Sequence, residues 1–334
     1  MPPVRFAIIG CGGYSGAHAL RLNEHPDAEV VALCDVSEEI ARGYLERNLH
    51  DCDPPPRIFT DRAHMYEEAR PDAVFVVTPH TLHFEHCMEA LDHGCHVFVE
   101  KPMVTRAEHA YELKARVEEV DRILVIGYNT PCTPEFLFLR EQIRNSTMGP
   151  LELVSGHLMQ AWKHPTAGSW RQNPELSGGG QAYDSGAHLL NSLCWSIESN
   201  VAEVHAFVDN QEVPVDINTS INIRFENGVY GNVVVGGNCT TNDGYLMFAF
   251  EQGLIKVDGW GGTWMEVYQG NERIKYPPVK GRRQWPDDNF IDAILGRAEP
   301  RTTPFNGLVQ SELMDAIYES ARTGQPARPK AKGG

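Results

Sequence analysis

Val4-Arg5-Phe6-Ala7-Ile8-Ile9-Gly10-Cys11-Gly12-Gly13-Tyr14-Ser15-Gly16 carries an apolar run of strand length straight into a glycine turn. A helical pattern follows, and a second strand, Val30-Val31-Ala32-Leu33-Cys34, ends on Asp35. Strand, glycine turn, helix, strand and acid, with the acid about twenty residues past the turn, is the order of a dinucleotide-binding unit. Gly10 permits the tight turn. Gly12 lets the backbone approach a pyrophosphate, whose charge meets unpaired N–H groups at the helix N-terminus. Ser15 fills the third position with a small residue in place of glycine. An ordinary strand-to-helix turn is the competing reading, and the flanking context favours the nucleotide. Asp35 predicts NAD over NADP, because a carboxylate there accepts from both ribose hydroxyls and repels a 2′-phosphate. Arg42 and Ser37 are the residues that would soften that preference.

Around this unit the bulk properties narrow the function classes. With 334 residues, two domains are expected. The net charge of −16, from 29 basic and 45 acidic residues, argues against nucleic-acid and anionic-membrane partners. No apolar stretch has bilayer length. The chain enters its first strand at once, which gives the expectation of no export signal. The eight cysteines form no CxxC pair and read as small core residues in a reducing compartment, so the cytoplasm is expected.

The first half alternates apolar strands and helices, with strands at Arg57-Ile58-Phe59, Ala73 to Thr78, His96 to Val99 and Ile123 to Ile126. Continuous apolar runs fit a parallel sheet buried on both faces, with its ligand crevice at the C-terminal strand ends. Beyond about residue 128 the pattern becomes alternating strands separated by turns such as Glu226-Asn227-Gly228 and Gln252-Gly253. That predicts a mostly antiparallel sheet, one face covered by a helix near Ser185 to Trp195 and the other solvated or in a subunit contact. Trp260, Trp264 and Tyr268 suit either such a contact or the core. The expected division is a dinucleotide-binding domain over 1–127 and a substrate-binding and oligomerisation domain over 128–334. The tail after Pro326 is expected to be mobile.

Three clusters hold candidate chemistry. Lys101, in Glu100-Lys101-Pro102 after an apolar strand, is placed at the crevice, against the alternative of a surface loop lysine. Gly178-Gly179-Gly180 marks backbone held close to something or a hinge. It precedes Asp184 and His188, whose i,i+4 spacing would share one helix face and suit an acid–base pair. The alternatives are a capping Asp184 with a core His188, or a metal site completed by His157 or His164. His80, His83, His86, His93 and His96 lack the Cys or carboxylate spacing of a metal centre, so no metal is expected.

Together, the glycine fingerprint, Thr78-Pro79-His80-Thr81-Leu82-His83, Gly94 to Pro102, Gly178-Gly179-Gly180 with Asp184 and His188, and the Asn306-Gly307 helix resemble the Gfo/Idh/MocA family. These are the relatives of glucose–fructose oxidoreductase and inositol dehydrogenase. The resemblance implies an α/β chain, a doubly wound parallel Rossmann sheet followed by a domain with a large, open-faced, mostly antiparallel sheet. It implies a nicotinamide cofactor, a sugar, inositol or polyol substrate, and a homodimer or homotetramer through that sheet. It carries catalytic roles onto Lys101, Asp184 and His188, with His188 as acid–base group, Lys101 at the reacting hydroxyl and Asp184 orienting substrate and imidazole. Cofactor contacts fall on Gly10, Gly12, Gly13, Tyr14, Ser15, Asp35, Thr78, Pro79, His83, Glu100 and Lys101, with Asn129, Trp170 and Arg171 near the nicotinamide. Arg283, with its neighbours Arg282 and Trp285, is implied on the substrate side, while Trp162, with His164, Trp170 and Arg171, reads either as an aromatic wall for a sugar face or as packing. Three activities fit: net oxidation of a secondary hydroxyl, transient oxidation in glycoside hydrolysis or sugar disproportionation, and a silent nicotinamide-binding regulator.

Overall fold

The computed structural model describes residues 2–329. The chain divides into two compact units, one comprising residues up to Met103, Glu112–Gly127 and Trp285–Pro304, the other Val104–Tyr111, Tyr128–Gln284 and the chain from Phe305 onward.

The first unit is built from β1 (Val4–Ile9), α1 (Ser15–Glu24), β2 (Ala28–Cys34), α2 (Glu38–Asn48), β3 (Arg57–Phe59), α3 (Arg62–Ala69), β4 (Ala73–Val76), α4 (His83–Asp92), β5 (His96–Val99), α5 (Ala107–Val120, which also contributes to the second unit) and β6 (Leu124–Ile126). Ser37 caps α2 and Asp61 caps α3 through side-chain acceptors, as short polar residues do at helix starts. All six strands are parallel, in the order β3-β2-β1-β4-β5-β6. The strand order reverses beside β1, and the crevice of such a sheet lies at the C-terminal strand ends there. β1, β4 and β5 are apolar throughout their centres because helices cover both faces. Phe75 stacks on Phe98 at 4.3 Å, and Phe290, from a segment far along the chain, packs 5.8 Å from both.

The second unit carries α6 (Pro134–Arg144), β7 (Leu151–Ala161), α7 (Pro174–Ser177), α8 (Gly186–Ile197), β8 (Val201–Asp209), β9 (Asn218–Phe225), β10 (Tyr230–Gly236), β11 (Asn238–Phe250), β12 (Gly253–Val257), β13 (Met265–Gln269) and β14 (Glu272–Ile274). α9 (Pro286–Ile294) then belongs to the first unit and α10 (Pro304–Thr323) almost wholly to the second. The eight strands run β14-β13-β12-β11-β7-β10-β9-β8, antiparallel except for β7 with β10. Both expected turns close hairpins, β9 to β10 and β11 to β12. α8 is buried along its whole length and covers one face.

One expectation is corrected here. The chain after Pro326 is pinned at its start: Ala327 is buried and exchanges two 2.8 Å backbone hydrogen bonds with Val204. The rest of that tail, from residue 330, lies outside the described residues. Among the described residues no helix is long and apolar enough to cross a membrane.

Candidate active site

Each unit holds one part of the expected chemistry. In the first, Gly10 adopts φ +95°, and a Cβ there would lie 2.5 Å from the Val77 carbonyl oxygen. Gly12 and Gly13 face open space, with nothing within 4 Å of a built Cβ. The turn therefore presents bare backbone, which fits a pyrophosphate's close approach. Ser15 is buried and its hydroxyl donates to the Gly12 carbonyl at 2.8 Å, while Tyr14 is exposed beside it. The Asp35 carboxylate accepts the N–H groups of Cys11 (2.9 Å) and Ser37 (3.1 Å), which fixes it at the end of β2. Arg42 is paired with Glu38 one helical turn back, at 3.0 Å.

The ends of β4 and β5 are tied together by His83. It is fully buried, with one ring nitrogen 2.8 Å from the Pro102 carbonyl and the other 2.8 Å from the Thr78 carbonyl. Pro79 lies between, half-buried. His83 thus shapes the crevice wall and has neither nitrogen left for a ligand. His80 meets the His83 ring edge-on at 5.8 Å, and the three others have other partners. His86 meets the Thr78 hydroxyl at 3.0 Å, His96 accepts the Ile123 N–H at 3.0 Å, and His93 stacks on Tyr66. Burial pushes the pKa of His86 and of His96 down to about 4. Among the described residues no group of three or more His, Cys, Asp or Glu side chains is placed to hold a metal.

Lys101 follows β5, half-buried, with a cis peptide to Pro102. Its N–H donates to Glu100 Oε2 at 3.2 Å. Glu100 Oε1 lies 3.0 Å from His18 Nε2, and His18 Nδ1 lies 2.6 Å from Asp287 Oδ1. Arg21 reaches the other Asp287 oxygen at 3.2 Å and stacks on Trp285 at 3.9 Å. His18, Glu100 and Asp287 are all buried. Burial alone would lower the His18 pKa, but Asp287 and then Glu100 raise it to about 9. Against its own burial, Asp287 is held below the usual carboxylate range by His18 and Arg21. No sequence signal marks this group, because its members stand 82 and 269 positions from His18.

In the second unit, the triple glycine is held against the protein itself. A Cβ on Gly180 would fall 2.0 Å from the Asp216 carbonyl oxygen. The buried Asp216 carboxylate accepts the N–H groups of Gly180 and Ala182, each at 2.7 Å, and the Tyr318 hydroxyl at 2.6 Å. Asp184 follows in the turn, its N–H donating to the Gly180 carbonyl at 2.9 Å. The helix-face argument for Asp184 and His188 is corrected: α8 begins at Gly186 with Ser185 as its N-cap, so Asp184 is not on the helix. Nor is it a cap. Its Oδ2 accepts Trp162 Nε1 at 2.8 Å and Arg171 Nε at 3.0 Å. Trp170 lies beneath the Arg171 guanidinium at 4.6 Å.

His188 is buried in the first turn of α8. Trp260 packs on its ring at 4.4 Å, and Tyr128 meets it edge-on at 5.8 Å. Tyr128 donates to Gln310 Oε1 at 2.6 Å, and Gln310 donates back to the Ala187 carbonyl at 3.2 Å. Trp260 is held by Asp258, which accepts the N–H groups of Trp260, Gly261 and Thr263, each at 3.0 Å. Arg283 donates to the carbonyls of Gly261 and Gly262, so it clamps this loop. Asn129 is half-buried, and its carbonyl accepts the Cys132 N–H at 3.0 Å. Sequence reasoning missed the apposition of Trp260 and Tyr128 to the imidazole. Two rings against it restrict its orientation.

Residues 4–128 match the family model described as "Oxidoreductase family, NAD-binding Rossmann fold", and residues 136–256 match "GFO/IDH/MocA C-terminal domain". The chain is 25% identical to the D-glucoside 3-dehydrogenase of Escherichia coli, over 96% of each chain. It is 23% identical to the D-xylose 1-dehydrogenase [NADP(+)] of Haloarcula marismortui, over 98% of this chain and 93% of that one. The WlbA dehydrogenase from Bordetella pertussis, solved with NADH and UDP-GlcNAcA, superposes with a TM-score of 0.86 at 24% identity, covering 99% of this chain and 100% of that one.

Proposed function

This chain belongs to the Gfo/Idh/MocA oxidoreductase family, and we propose that it moves a hydride between NAD and a secondary hydroxyl of a sugar, inositol or related polyol. The observation that carries this reading is the position of Lys101. It lies just past β5, at the C-terminal strand ends that also carry the bare Gly12–Gly13 turn, where such sheets bind their ligands. The end-to-end similarity to a D-glucoside 3-dehydrogenase supports the substrate class. Bound NAD supplies the hydride acceptor. Lys101 polarises the hydroxyl oxygen, and His188 takes the hydroxyl proton. Asp184, held by Trp162 and Arg171, orients the substrate's hydroxyls. Trp162 and Arg283 act on the substrate side indirectly, Arg283 through the loop bearing Trp260. The test is a panel of pyranosides, glycosides and inositols assayed with NAD. An oxidised product matched by NADH supports net oxidation; released aglycone without NADH assigns transient oxidation; neither product with any member sinks the enzyme.

The preference for NAD rests on Asp35, whose two oxygens are fixed by backbone donors, and on Arg42 being paired with Glu38. Asp35→Ser should lower the NAD-to-NADP affinity ratio by roughly tenfold or more, because it removes both the ribose acceptor and the charge that repels a phosphate. Affinities for the two cofactors, measured by fluorescence, check this; an unchanged ratio removes Asp35 from the specificity.

A second copy of this chain is the proposed partner. Leu153, Phe207 and Tyr230 are exposed on the sheet face opposite α8, beside a groove lined by His205, Asn222 and Asn232. Leu153→Asp with Tyr230→Asp should shift sedimentation to the monomer. A wild-type chain that sediments as a monomer refutes the contact.

A further inference from the structure

We infer that His18 and Asp287 form a charged clamp that positions Lys101 through Glu100. The inference rests on the proposed role of Lys101 and goes beyond it, because neither clamp residue touches the reacting groups.

His18 sits one turn into α1. Its two ring nitrogens face carboxylate oxygens, Asp287 Oδ1 at 2.6 Å and Glu100 Oε1 at 3.0 Å. A carboxylate only accepts, so both nitrogens donate and the ring is an imidazolium. The second Glu100 oxygen accepts the N–H of Lys101 at 3.2 Å. Glu100 is therefore held at both oxygens, by the cofactor helix on one side and by the Lys101 backbone on the other. Gly127 leaves the space for this: a Cβ there would fall 2.5 Å from Glu100 Oε1.

The surroundings make the cluster informative. The His18 ring packs against Phe98 (5.0 Å), Phe75 (5.4 Å) and Tyr14 (5.5 Å). Two cations, His18 and Arg21, face two carboxylates, Glu100 and Asp287, so the charge balances. Burying such a group in an aromatic wall is costly, and apolar residues would often pack there at least as stably. What apolar residues do not supply is a fixed direction for the Glu100 carboxylate, and through it a fixed start to the Lys101 turn. The clamp also joins Tyr14, beside the glycine turn, to the Glu-Lys-Pro turn. A purely architectural role would be to dock α9 on the sheet. That role predicts lost stability without any special coupling to Glu100.

The experiment compares the full-length wild type with His18→Leu, His18→Gln, Asp287→Asn, Glu100→Gln and the double variant His18→Leu/Glu100→Gln. NADH affinity is read by fluorescence, turnover on whichever panel substrate is active, and stability by urea. His18→Leu should weaken NADH binding or turnover by about tenfold to a hundredfold. Glu100→Gln should do the same, and the double variant should be within about twofold of Glu100→Gln alone, the mark of residues acting in series. His18→Gln keeps an N–H directed at Glu100 and should recover most of the function without recovering stability. Effects of His18→Leu and Glu100→Gln that multiply overturn the clamp. If His18→Leu does not fold, Asp287→Asn and His18→Gln carry the test, and function lost in both in proportion to stability also overturns it. A wild type that ignores NADH defeats the oxidoreductase reading and the clamp with it; a wild type that binds NADH alongside an indifferent His18→Leu defeats the clamp alone.

Discussion

His188→Ala should lower turnover by about a thousandfold, the middle of the range for removing a positioned acid–base group, while NADH affinity stays within about twofold. The two halves of this expectation come from different units of the chain. His188 belongs to the first turn of α8, in the second unit. Every fingerprint residue of the dinucleotide-binding turn belongs to the first. Removing the imidazole leaves the glycine turn and Asp35 untouched. It also opens a gap between Trp260 and Tyr128, so His188→Gln is the cleaner companion: it fills the space and still does not take a proton. Lys101→Met should instead reduce both turnover and NADH affinity, because Lys101 lies just past β5 in the cofactor unit. Single-turnover kinetics with NADH binding measured separately decides the matter. Near-wild-type turnover in both His188→Ala and Lys101→Met would remove the proposed chemistry from these residues.

How much of this was legible beforehand depended on sequence distance. The glycine turn, α1 and Asp35 lie within one short stretch, and parallel strands buried on both faces read as continuous apolar runs. The Rossmann sheet and the hairpins of the second sheet could therefore be read locally. The position of Lys101 just past an apolar strand was legible for the same reason. The surroundings of the site were not. Trp260 was equally compatible with core and subunit contact, since an aromatic residue between strands carries no label for the face it serves; it packs on His188. The spacing of Asp184 and His188 suggested one helix face, but α8 begins two residues after Asp184, so periodicity did not relate them. His18 looked like any helical residue until the chain brought α9 back beneath it.

The triple glycine shows the same limit and leads to the second large effect. Three glycines signalled backbone pressed against something, and a ligand or a hinge were both open. The structure presses Gly180 against Asp216, whose carboxylate gathers the Gly180 and Ala182 N–H groups and the Tyr318 hydroxyl in a buried site. Asp216→Ala should therefore cost about 3–5 kcal/mol, because it strands two buried backbone donors at about 1–3 kcal/mol each and frees a hydroxyl besides. At about 2–4 °C per kcal/mol for a unit of this size, the melting temperature should fall by roughly 10 °C. Asp216→Asn should cost less, since its amide keeps one acceptor but turns an N–H group toward a donor. Gly180→Ala should be at least as damaging as Asp216→Ala: the backbone carbonyl 2.0 Å from the new Cβ has no rotamer to move to. Because the Asp184 N–H hangs on the Gly180 carbonyl, the surviving folded fraction of either variant should also turn over more slowly per molecule. Urea unfolding gives the first quantity and active-site-normalised turnover the second. An Asp216→Ala chain as stable as wild type would mean that the loop finds other acceptors, and that the clamp on the Asp184 turn is not what holds it.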